Sequence, residues 1–533
     1  MSNEERAAVM TQQEIVSLLA SHQDITHRYT SLEQKYEELR QQLDWLKRQL
    51  FGAKSERHIS LDQSRQLTLA EMDVPSTEEV PSVEIPAHRR AKSPAVRGDE
   101  GKLRFDDSVP VVRYELPADI PEDQLDQYER IGEKTNHLLA QTPGVFFIRE
   151  IVRPVYKKKA APDATEDEIV TAYPLWTVFY RSFADVSLLA CLLVDKFRYH
   201  LPLYRQHQRM AASGVHISRG SLTNWVHRTC DLLVPVYEAQ LRSVLSSSVL
   251  AMDETPIKAG RKKNKPPGKG KMSTGYFWPL YGDHDEVVFH FAPTRAHKVV
   301  DGLLSGFKGT LVSDGYDAYE KFAARNADVR HAACWVHTRR GFDKALSSDR
   351  DLAEEALFRI GALYDAERNL NSLNREKVLA QRALHCKPIV EEFFNWLREV
   401  QARTALLPSS PFAKAAAYAL DREEALKVFL ADAAVPLDTN HLERQIRPMA
   451  VGRKNWLFCW TEVGAKYTGV AQSLISTCIL HGIAPYTYLV DVLQRLDTHP
   501  ANQVSELTPR VWKEKFGNNP IPASLPEGAP IRR

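Results

Sequence analysis

Two short apolar stretches of the chain each lead directly into an aspartate. In SVLAMDETPIK, residues 249–251 form an apolar run before Asp253, and in GTLVSDGYDAYE a second such run precedes Asp314. Short apolar runs bounded by polar residues are typical of strands buried in a sheet. The pattern therefore predicts two neighbouring buried strands, each of which presents a carboxylate at the edge of the sheet.

A third carboxylate, Glu443, lies in a predicted helix with the sequence NHLERQIRPMAVGRKNW. Three carboxylates on two strand ends and one helix can hold two divalent cations, because Mg²⁺ and Mn²⁺ prefer oxygen ligands. Two such ions would stabilise the attacking and leaving oxygens of a phosphodiester exchange. The alternative for Glu443 is a surface ion pair with Arg447, one helical turn later.

Length and composition predict a multidomain intracellular protein. The 533 residues predict about three or four domains. The net charge is only +2, so any nucleic-acid-binding surface must be local. Six scattered cysteines without a C-x-x-C pair indicate reduced thiols. The N-terminus lacks the form of a signal peptide, and no apolar run is long enough to span a bilayer. We expect a soluble, cytoplasmic chain.

Residues 11–51 are predicted to form a coiled coil. Apolar residues recur there at alternating spacings of four and three over more than three heptads, which is the pattern of a helix that self-associates. These residues are Ile25, Tyr29, Leu32, Tyr36, Leu39, Leu43, Leu46 and Leu50. The alternative is a helix that packs on its own domain.

Residues 57–105 are rich in Ser, Pro, Glu and Gln and are predicted to be a flexible linker.

Two further regions precede the apolar stretches. Residues 106–175 are rich in β-branched and aromatic residues and predict a small β-rich module. Residues 176–247 predict a helical region that contains a helix-turn-helix-like pair with its turn at Gly214. In its second helix, capped by Ser218 or Ser221, the core-facing residues are predicted to be Leu222, Trp225 and Val226. The outward residues, candidates for DNA contact, are Thr223, Asn224, His227 and Arg228. The alternative is an ordinary helix pair, since such pairs are common.

The predicted order of elements in residues 248–345 is strand, antiparallel hairpin, helix, strand, helix and strand. This order predicts the first part of a ribonuclease H-like α/β core within a multidomain α+β chain. Residues 346–435 have helical periodicity and predict an all-helical insertion, after which residues 436–480 return to the core with Glu443. Residues 481–533 are predicted to form C-terminal helices and a loosely packed, Pro-rich tail.

Several cationic and aromatic residues are candidates for contact with a DNA backbone. A Gly/Pro/Lys loop from Lys258 to Lys271 follows the Asp253 strand. The alternative for such a charge run is plain solvation. The candidates are Arg261, Lys262, Lys263, Arg339, Arg340, Asn440, Arg444, Arg447, Arg453, Lys454 and Trp456.

A zinc site is not expected in this chain. His331, Cys334 and His337 are spaced by three residues, which would bring them near one face of a helix, but the sequence supplies no fourth ligand nearby. A helix start with His337, Arg339 and Arg340 facing the active site or DNA is the better interpretation.

Six motifs, taken in chain order, resemble those of the insertion sequence sixty-six transposase family, large catalytic subunit. They are LFGAKSERH, MDETPIKA, LVSDGYDAY, HAACWVHTRRGF, NHLERQIRPMAVGRKNWLF and STCILHGIAPYTYLVDVL. The resemblance implies a DDE transposase whose ribonuclease H-like domain carries Asp253, Asp314 and Glu443. It also implies a coiled coil and a helix-turn-helix region that binds terminal inverted repeats. Many members resemble a zinc-ribbon protein before the helical region, but residues 100–175 of this chain contain no cysteine.

The implied chemistry is metal-assisted phosphoryl transfer with Mg²⁺ or Mn²⁺. Water would cleave the phosphodiester at the element's end, and the freed 3′-OH would attack target DNA. The implied partners are double-stranded DNA (inverted repeats and target), a second copy bound through the coiled coil, small accessory proteins of the element, and no membrane. A bacterial, nucleoid-associated location follows. Two rivals are a metal-dependent nuclease on the same core and a non-catalytic DNA-binding protein derived from a transposase.

Overall fold

The computed structural model describes most of the chain beyond residue 103. Within 104–523 it leaves out 106, 108, 119, 143, 159–168, 175–176, 180–181, 262–271, 369, 371–372, 404–405, 457–458 and 460. The predicted coiled coil, nearly all of the predicted linker, and Lys262 and Lys263 lie outside the described residues. The larger of two compact units comprises Glu100–Arg340, Leu357–Arg398 and Ala417–Arg533. The described parts of the smaller unit are Gly341–Ala356 and Glu399–Ala416.

A four-stranded sheet opens the described chain. It is preceded by the short strand β1 (Arg104–Phe105) and consists of β2 (Val111–Glu115), β3 (Tyr128–Thr142), β4 (Val145–Lys158) and β5 (Ile169–Thr171). β4 lies between β2 and β3 and also pairs with β5. β3 and β4 form a long antiparallel hairpin whose turn contains Gly144 at φ 95°, a conformation that favours glycine.

Three helices follow this sheet. They are α1 (Val186–Phe197), α2 (Leu203–Ala212) and, after the short strand β6 (Val215–His216), α3 (Arg219–Leu245). Gly214 turns the chain between α2 and β6 at φ 79°. Ser218 caps α3, because its hydroxyl accepts the Ser221 N–H at 3.0 Å.

The first turns of α3 match the predicted division into two faces. Leu222, Trp225 and Val226 are buried in the core that α3 shares with α1, as predicted. The predicted outward residues lie on the other side of the helix, where three are exposed and one is half-buried. The helical periodicity therefore predicted the buried face of α3 correctly.

A six-stranded mixed sheet forms the centre of the larger unit. Its elements in chain order are β7 (Val249–Met252), β8 (Thr255–Arg261), β9 (Met272–Tyr281), β10 (Val287–Ala292), α4 (His297–Leu303), β11 (Gly309–Ser313), α5 (Asp317–Arg325), β12 (Val329–Ala333) and α6 (Trp335–Ala345). The strand order is β10-β9-β7-β11-β12, and β8 pairs with β9. β7, β11 and β12 run parallel, whereas the predicted hairpin of β9 and β10 is antiparallel.

Strand β8 corrects the boundary of the predicted basic loop. The loop was expected from Lys258 onward, but the chain stays in the sheet to Arg261 and pairs with β9. Ile257 and Ala259 are buried and alternate with an exposed Lys258, which is the pattern of a strand with one covered face. The high density of Lys and Gly residues concealed this short alternation.

The rest of the chain is helical. Its helices are α7 (Arg350–Arg368), α8 (Arg375–Gln381), α9 (Lys387–Arg403), α10 (Pro411–Asp421), α11 (Glu423–Ala431), α12 (Asn440–Trp456), α13 (Glu462–Leu480), α14 (Pro485–Arg495) and α15 (Pro509–Lys515). The predicted mixed α+β architecture is thus confirmed. Among the described residues, no helix combines the length and the apolar composition needed to cross a bilayer.

The C-terminal segment is packed rather than loose, which corrects the prediction for much of the tail. Leu507 and Trp512 are buried, and the Trp512 indole N–H donates to Asp491 Oδ1 at 2.7 Å. Asp491 is itself fully buried in α14, and its other oxygen accepts the Ile521 N–H at 2.6 Å. The proline content was misleading because these contacts join residues far apart in sequence.

Helix α13 packs closely on strand β10 through a glycine. A Cβ at Gly469 would lie 2.4 Å from the Phe289 carbonyl oxygen. We expect Gly469→Ala to lower the free energy of unfolding by about 1–3 kcal/mol through overpacking, measured as a lower Tm. Gly361→Ala in α7 is the control, since a Cβ there meets nothing within 4 Å. It should raise stability slightly, and equal Tm values for the two variants would contradict the packing argument.

Candidate active site

Asp253 and Asp314 lie at the carboxyl ends of adjacent parallel strands. β7 and β11 pair in parallel with Ala251 opposite Val312, so the residues that follow them leave the sheet at the same edge. The Asp253 carboxylate accepts the Glu254 N–H at 2.7 Å, and that of Asp314 accepts the Tyr316 N–H at 2.9 Å. These backbone bonds orient both carboxylates at this edge of the sheet.

Glu254 joins the two aspartates, and the sequence analysis had passed over it. One carboxylate oxygen from each of Asp253, Glu254 and Asp314 lies within 4.8 Å of the others. The signal was present as the Asp-Glu dipeptide at the end of β7. Alternation along a strand would assign neighbouring residues to opposite faces and so to separate sites. The chain has already left β7 at Asp253, so that rule does not apply here.

The Glu254 carboxylate is held by two other side chains. It forms an ion pair with Arg295, and it accepts a hydrogen bond from the Tyr319 hydroxyl at 2.7 Å. Its side chain is only 5% exposed. The Arg295 guanidinium in turn lies 4.1 Å from the centroid of the Tyr316 ring. Glu254 is therefore fixed in place and partly neutralised.

Burial and mutual repulsion make this carboxylate cluster hard to ionise completely. Burial, with added repulsion from Glu254, Asp314 and Glu443, raises the pKa of Asp253 to about 7, although the Glu254 N–H opposes the rise. Burial also raises the pKa of Glu254. A divalent cation fits this donor set, because its positive charge would offset the repulsion between the carboxylates and their oxygens are ligands that Mg²⁺ and Mn²⁺ prefer.

Glu443 lies on α12, whose start is tied to the start of α6. The Thr439 N–H donates to Cys334 Sγ at 3.3 Å, and the Trp335 N–H donates to the Leu437 carbonyl at 3.2 Å. Because β12 is parallel to β11, these bonds bring α12 toward the edge where Asp314 lies. Glu443 is near enough to Asp253 to raise its pKa.

The Glu443 carboxylate is bound by α6, and it lies outside the three-carboxylate cluster. Arg340 Nη2 lies 2.5 Å from Glu443 Oε2, and His337 Nε2 lies 3.8 Å from Oε1. Among the described residues, Glu443 Oε1 has no hydrogen-bond partner although it is buried. Within the same residues no ion pair joins Glu443 to Arg447, so Arg340 is its partner instead. That contact spans 103 positions and could not be read from local spacing.

The possible zinc ligands have separate partners. His331 lies on β12, not on a helix, and its Nε2 is 2.9 Å from the Ser313 hydroxyl. Burial, aided by the Arg422 charge, lowers the pKa of His331 to about 4. Cys334 Sγ accepts the hydrogen bonds from Thr439. His337 lies beside Glu443, and burial lowers its pKa.

Other candidate DNA contacts divide into bound and exposed side chains. Arg453 donates to Thr255 Oγ1 at 2.9 Å and to the Pro256 carbonyl at 2.6 Å, so it joins α12 to β8. The Trp456 ring packs edge-on against the Phe197 ring, with centroids 5.6 Å apart. Trp456 is therefore occupied in packing within the protein. Four cations are exposed at the helix surface: Arg339, Arg444, Arg447 and Lys454.

Three further candidates belong to local structure. Asn440 Nδ2 donates to Asp438 Oδ2 at 2.7 Å at the start of α12. Arg228 lies 4.1 Å above the Phe179 ring, and Arg261 is the last residue of β8, with its side chain outside the described atoms. These placements assign Asn440 and Arg228 at least a structural role.

The fold and this site together define a class of protein: a mixed α/β-sheet protein with a candidate divalent-cation centre at the carboxyl edge of its parallel strands. The chain belongs to the Transposase IS66 family, whose sequence model matches residues 181–467. Residues 473–510 match the IS66 C-terminal element, and residues 38–121 match a model described as Transposase C of IS166 homeodomain. The family resemblance seen in the sequence motifs is confirmed.

The chain is similar to proteins of Sinorhizobium fredii and matches part of one solved transposase structure. An uncharacterized protein of Sinorhizobium fredii (strain NBRC 101917 / NGR234), y4hP, is 28% identical over 506 residues, covering 87% of each chain. A second, y4jD of the same strain, is 28% identical over 489 residues, covering 87% of this chain and 93% of its own. The Drosophila P element transposase strand transfer complex shares 14% identity, with 64% of this chain and 87% of that chain covered and a TM-score of 0.21.

Proposed function

We propose that the chain is a DDE transposase that cleaves DNA at the ends of an insertion sequence and joins those ends to target DNA. The observation that carries this proposal is the pair Asp253 and Asp314 on adjacent parallel strands, in a chain of a transposase family. Glu443, on a helix tied to the same region, is proposed as the third carboxylate. The coarser statement, membership of a transposase family, does not depend on this assignment.

We further propose that the central sheet is the ribonuclease H-like core expected from the sequence. Its support is the chain order of β7, the three antiparallel strands β8, β9 and β10, and two helix–strand units, with β7, β11 and β12 parallel. In open α/β sheets, ligands bind at the carboxyl ends of the strands, which is where the acidic residues lie. The helices α7 to α11, within residues 346–435, would be the all-helical insertion.

In this proposal Asp253, Asp314 and Glu443 hold the divalent cations, Mg²⁺ or Mn²⁺. When bound, such ions polarise the phosphodiester and lower the pKa of coordinated water. Glu254 would support Asp253 from the side, because Arg295 and Tyr319 already occupy its oxygens. Within the described residues Glu443 Oε1 accepts no hydrogen bond, so it is the oxygen that would bind a cation once the Arg340 contact has opened.

Nearby cations would position the DNA backbone. Arg340 is half exposed and bonded to Glu443, so DNA phosphate could attract the guanidinium away from the carboxylate. His337, which burial keeps neutral, could donate one hydrogen bond to a phosphate oxygen. Exposed Arg339, Arg444, Arg447 and Lys454 would add sequence-independent contacts, and their weakening with salt would be the sign of this role.

The remaining partners are proposals of the same kind. Residues 176–247 would bind the terminal inverted repeats, and residues 11–51 would pair two copies so that both ends are processed together. Small accessory proteins of the element would join this assembly at the nucleoid, where the DNA substrate lies. The other predicted domain boundaries stay predictions.

The experiment that tests the proposal uses labelled DNA carrying the ends of the element that encodes this chain. In Mg²⁺ or Mn²⁺ the full chain should nick the ends and join them to a supercoiled target, and EDTA should abolish both steps. Cleavage without joining would favour the metal-dependent nuclease. DNA binding with neither step, under conditions in which Mg²⁺ raises Tm, would favour the non-catalytic DNA-binding protein.

Mg²⁺ is expected to stabilise the chain more at pH 8 than at pH 6. Because the pKa of Asp253 is raised to about 7 from an ordinary 3.8, the cation must displace a proton at pH 6 but not at pH 8. The apparent affinity of the chain for Mg²⁺ should therefore be lower at pH 6 than at pH 8 by up to about tenfold.

Without Mg²⁺, stability should decline as pH rises from about 4 to about 7, since the folded chain keeps a proton that the unfolded chain has released.

Thermal unfolding with and without Mg²⁺ at the two pH values measures this effect. Asp253→Asn is the control. In this variant the Tm increase caused by Mg²⁺ should be small and should no longer change near pH 7. A Tm increase of equal size at both pH values in the wild-type chain would show that Asp253 does not take part in binding the cation.

A further inference from the structure

A cleft of about 700 Å³ lies between α2 and the first turns of α3. Its lining includes Leu203, Tyr204, Arg219, Thr223, Asn224 and His227. Three of these residues are the outward-facing positions predicted to read DNA. They line a concave surface, whereas a recognition helix reads the major groove with a convex one. The shape of the cleft therefore calls for a different occupant from an intact duplex.

One wall of the cleft is an aromatic ring with a cation beside it. Tyr204 is 54% exposed, and the Arg219 guanidinium lies 5.8 Å from its ring centroid. The Tyr204 hydroxyl accepts a hydrogen bond from Gln208 at 3.2 Å, which fixes the edge of the ring. Within the described part of the chain, Arg219 has no carboxylate partner. A planar group stacked on Tyr204 would thus meet an available positive charge.

The other wall supplies hydrogen-bonding groups that lack partners. Asn224 is exposed, and its amide has no hydrogen-bond partner among the residues that the structure describes. An amide both donates and accepts, as the edge of a nucleobase does. His227 is half-buried, and burial together with the Lys196 charge lowers its pKa, so its ring nitrogens also offer one donor and one acceptor. The half-buried Leu203 contributes an apolar surface.

We propose that this cleft binds a single unpaired base of a DNA strand, stacked on Tyr204, with its edge at Asn224 and its phosphate at Arg219. Aromatic stacking with an adjacent cation is how proteins bind single-stranded DNA, and polar groups at the edge add base preference. The inference rests on the proposed function only in taking DNA as the substrate. The helix-turn-helix-like region would then bind the unpaired bases of an opened DNA end.

Binding is tested with the full chain in EDTA, so that it does not depend on cleavage. The probes are a fluorescein-labelled single-stranded DNA of mixed sequence and the matching duplex. Fluorescence anisotropy measures the binding of the chain to each probe. Tyr204→Ala should weaken single-strand binding by about 5- to 150-fold, the contribution of one stacked base, and should change duplex binding less than twofold. Tyr204→Phe should keep most of the affinity because it keeps the ring.

Tyr199→Ala is the matched control, because Tyr199 is 69% exposed and only five positions away but does not line the cleft. It should bind single strands like the wild type. Equal losses in Tyr199→Ala and Tyr204→Ala, or equal losses on single strand and duplex, would overturn the proposal. If catalysis fails in every assay while the Tyr204 effect persists, only the proposed transposase mechanism is lost.

Photocrosslinking identifies the contact directly. A single strand that carries 5-iododeoxyuridine should crosslink to the peptide containing Tyr204, and the crosslink should be absent in Tyr204→Ala. A crosslink that maps outside the cleft in the wild type would overturn the assignment, even if the anisotropy values change as expected.

Discussion

Asp253→Asn and Asp314→Asn are each expected to reduce both cleavage and joining by at least about 10³-fold, because loss of a cation ligand removes several kcal/mol of transition-state stabilisation. Asparagine keeps an oxygen that can accept the backbone N–H bonds of Glu254 and Tyr316. The fold should therefore persist. Tm without Mg²⁺ should stay the same or rise, since a charge leaves a repulsive cluster.

Asp317→Asn is the matched control for these variants. Asp317 lies three residues after Asp314, but its side chain is 60% exposed and pairs with Lys321 on the surface of α5. Its activity should stay within about twofold of the wild type, because exposed ion pairs contribute little. DNA binding in EDTA should be equal in all three variants. Full activity in either Asp253→Asn or Asp314→Asn would exclude that carboxylate from the site.

The positions of these two aspartates could be predicted because the determining pattern is local. A buried strand is recognisable from a few apolar residues, and parallel strands expose their carboxyl ends at one edge. The hairpin of β9 and β10 and the buried face of α3 were predictable for the same reason. In each case neighbouring residues of the sequence carry the whole signal.

The rest of the site depends on contacts between distant residues. Arg340 and Glu443 are brought together by the Cys334–Thr439 contact, which no periodicity indicates. Arg295 could not be assigned to Glu254 from the sequence, because the strands β8, β9 and β10 lie between them in the chain. The burial of Trp512 on Asp491 was missed for the same reason. Long-range pairing, rather than local propensity, determines these parts of the structure.

Glu443→Gln and Glu254→Gln are expected to have opposite effects, and together they identify the third carboxylate. Glu443→Gln should reduce cleavage and joining by at least about 10³-fold with little change in Tm, since its partner Arg340 is half exposed. Glu254→Gln should retain activity within about tenfold but lower the free energy of unfolding by about 1–3 kcal/mol. Its carboxylate is almost fully buried and bound by Arg295 and Tyr319.

Strand-transfer assays and thermal unfolding of both variants measure these effects, and Glu424→Gln serves as a control at an exposed glutamate. The reverse pattern, with Glu254→Gln inactive and Glu443→Gln active, would assign the third ligand to the cluster of Asp253, Glu254 and Asp314 as it stands. Glu443 would then be a residue that positions Arg340.

If instead Glu443 is the ligand, the Arg340 contact must open before the site is complete, and adding DNA should increase the affinity of the chain for Mn²⁺. Arg340→Ala would already show that increase without DNA.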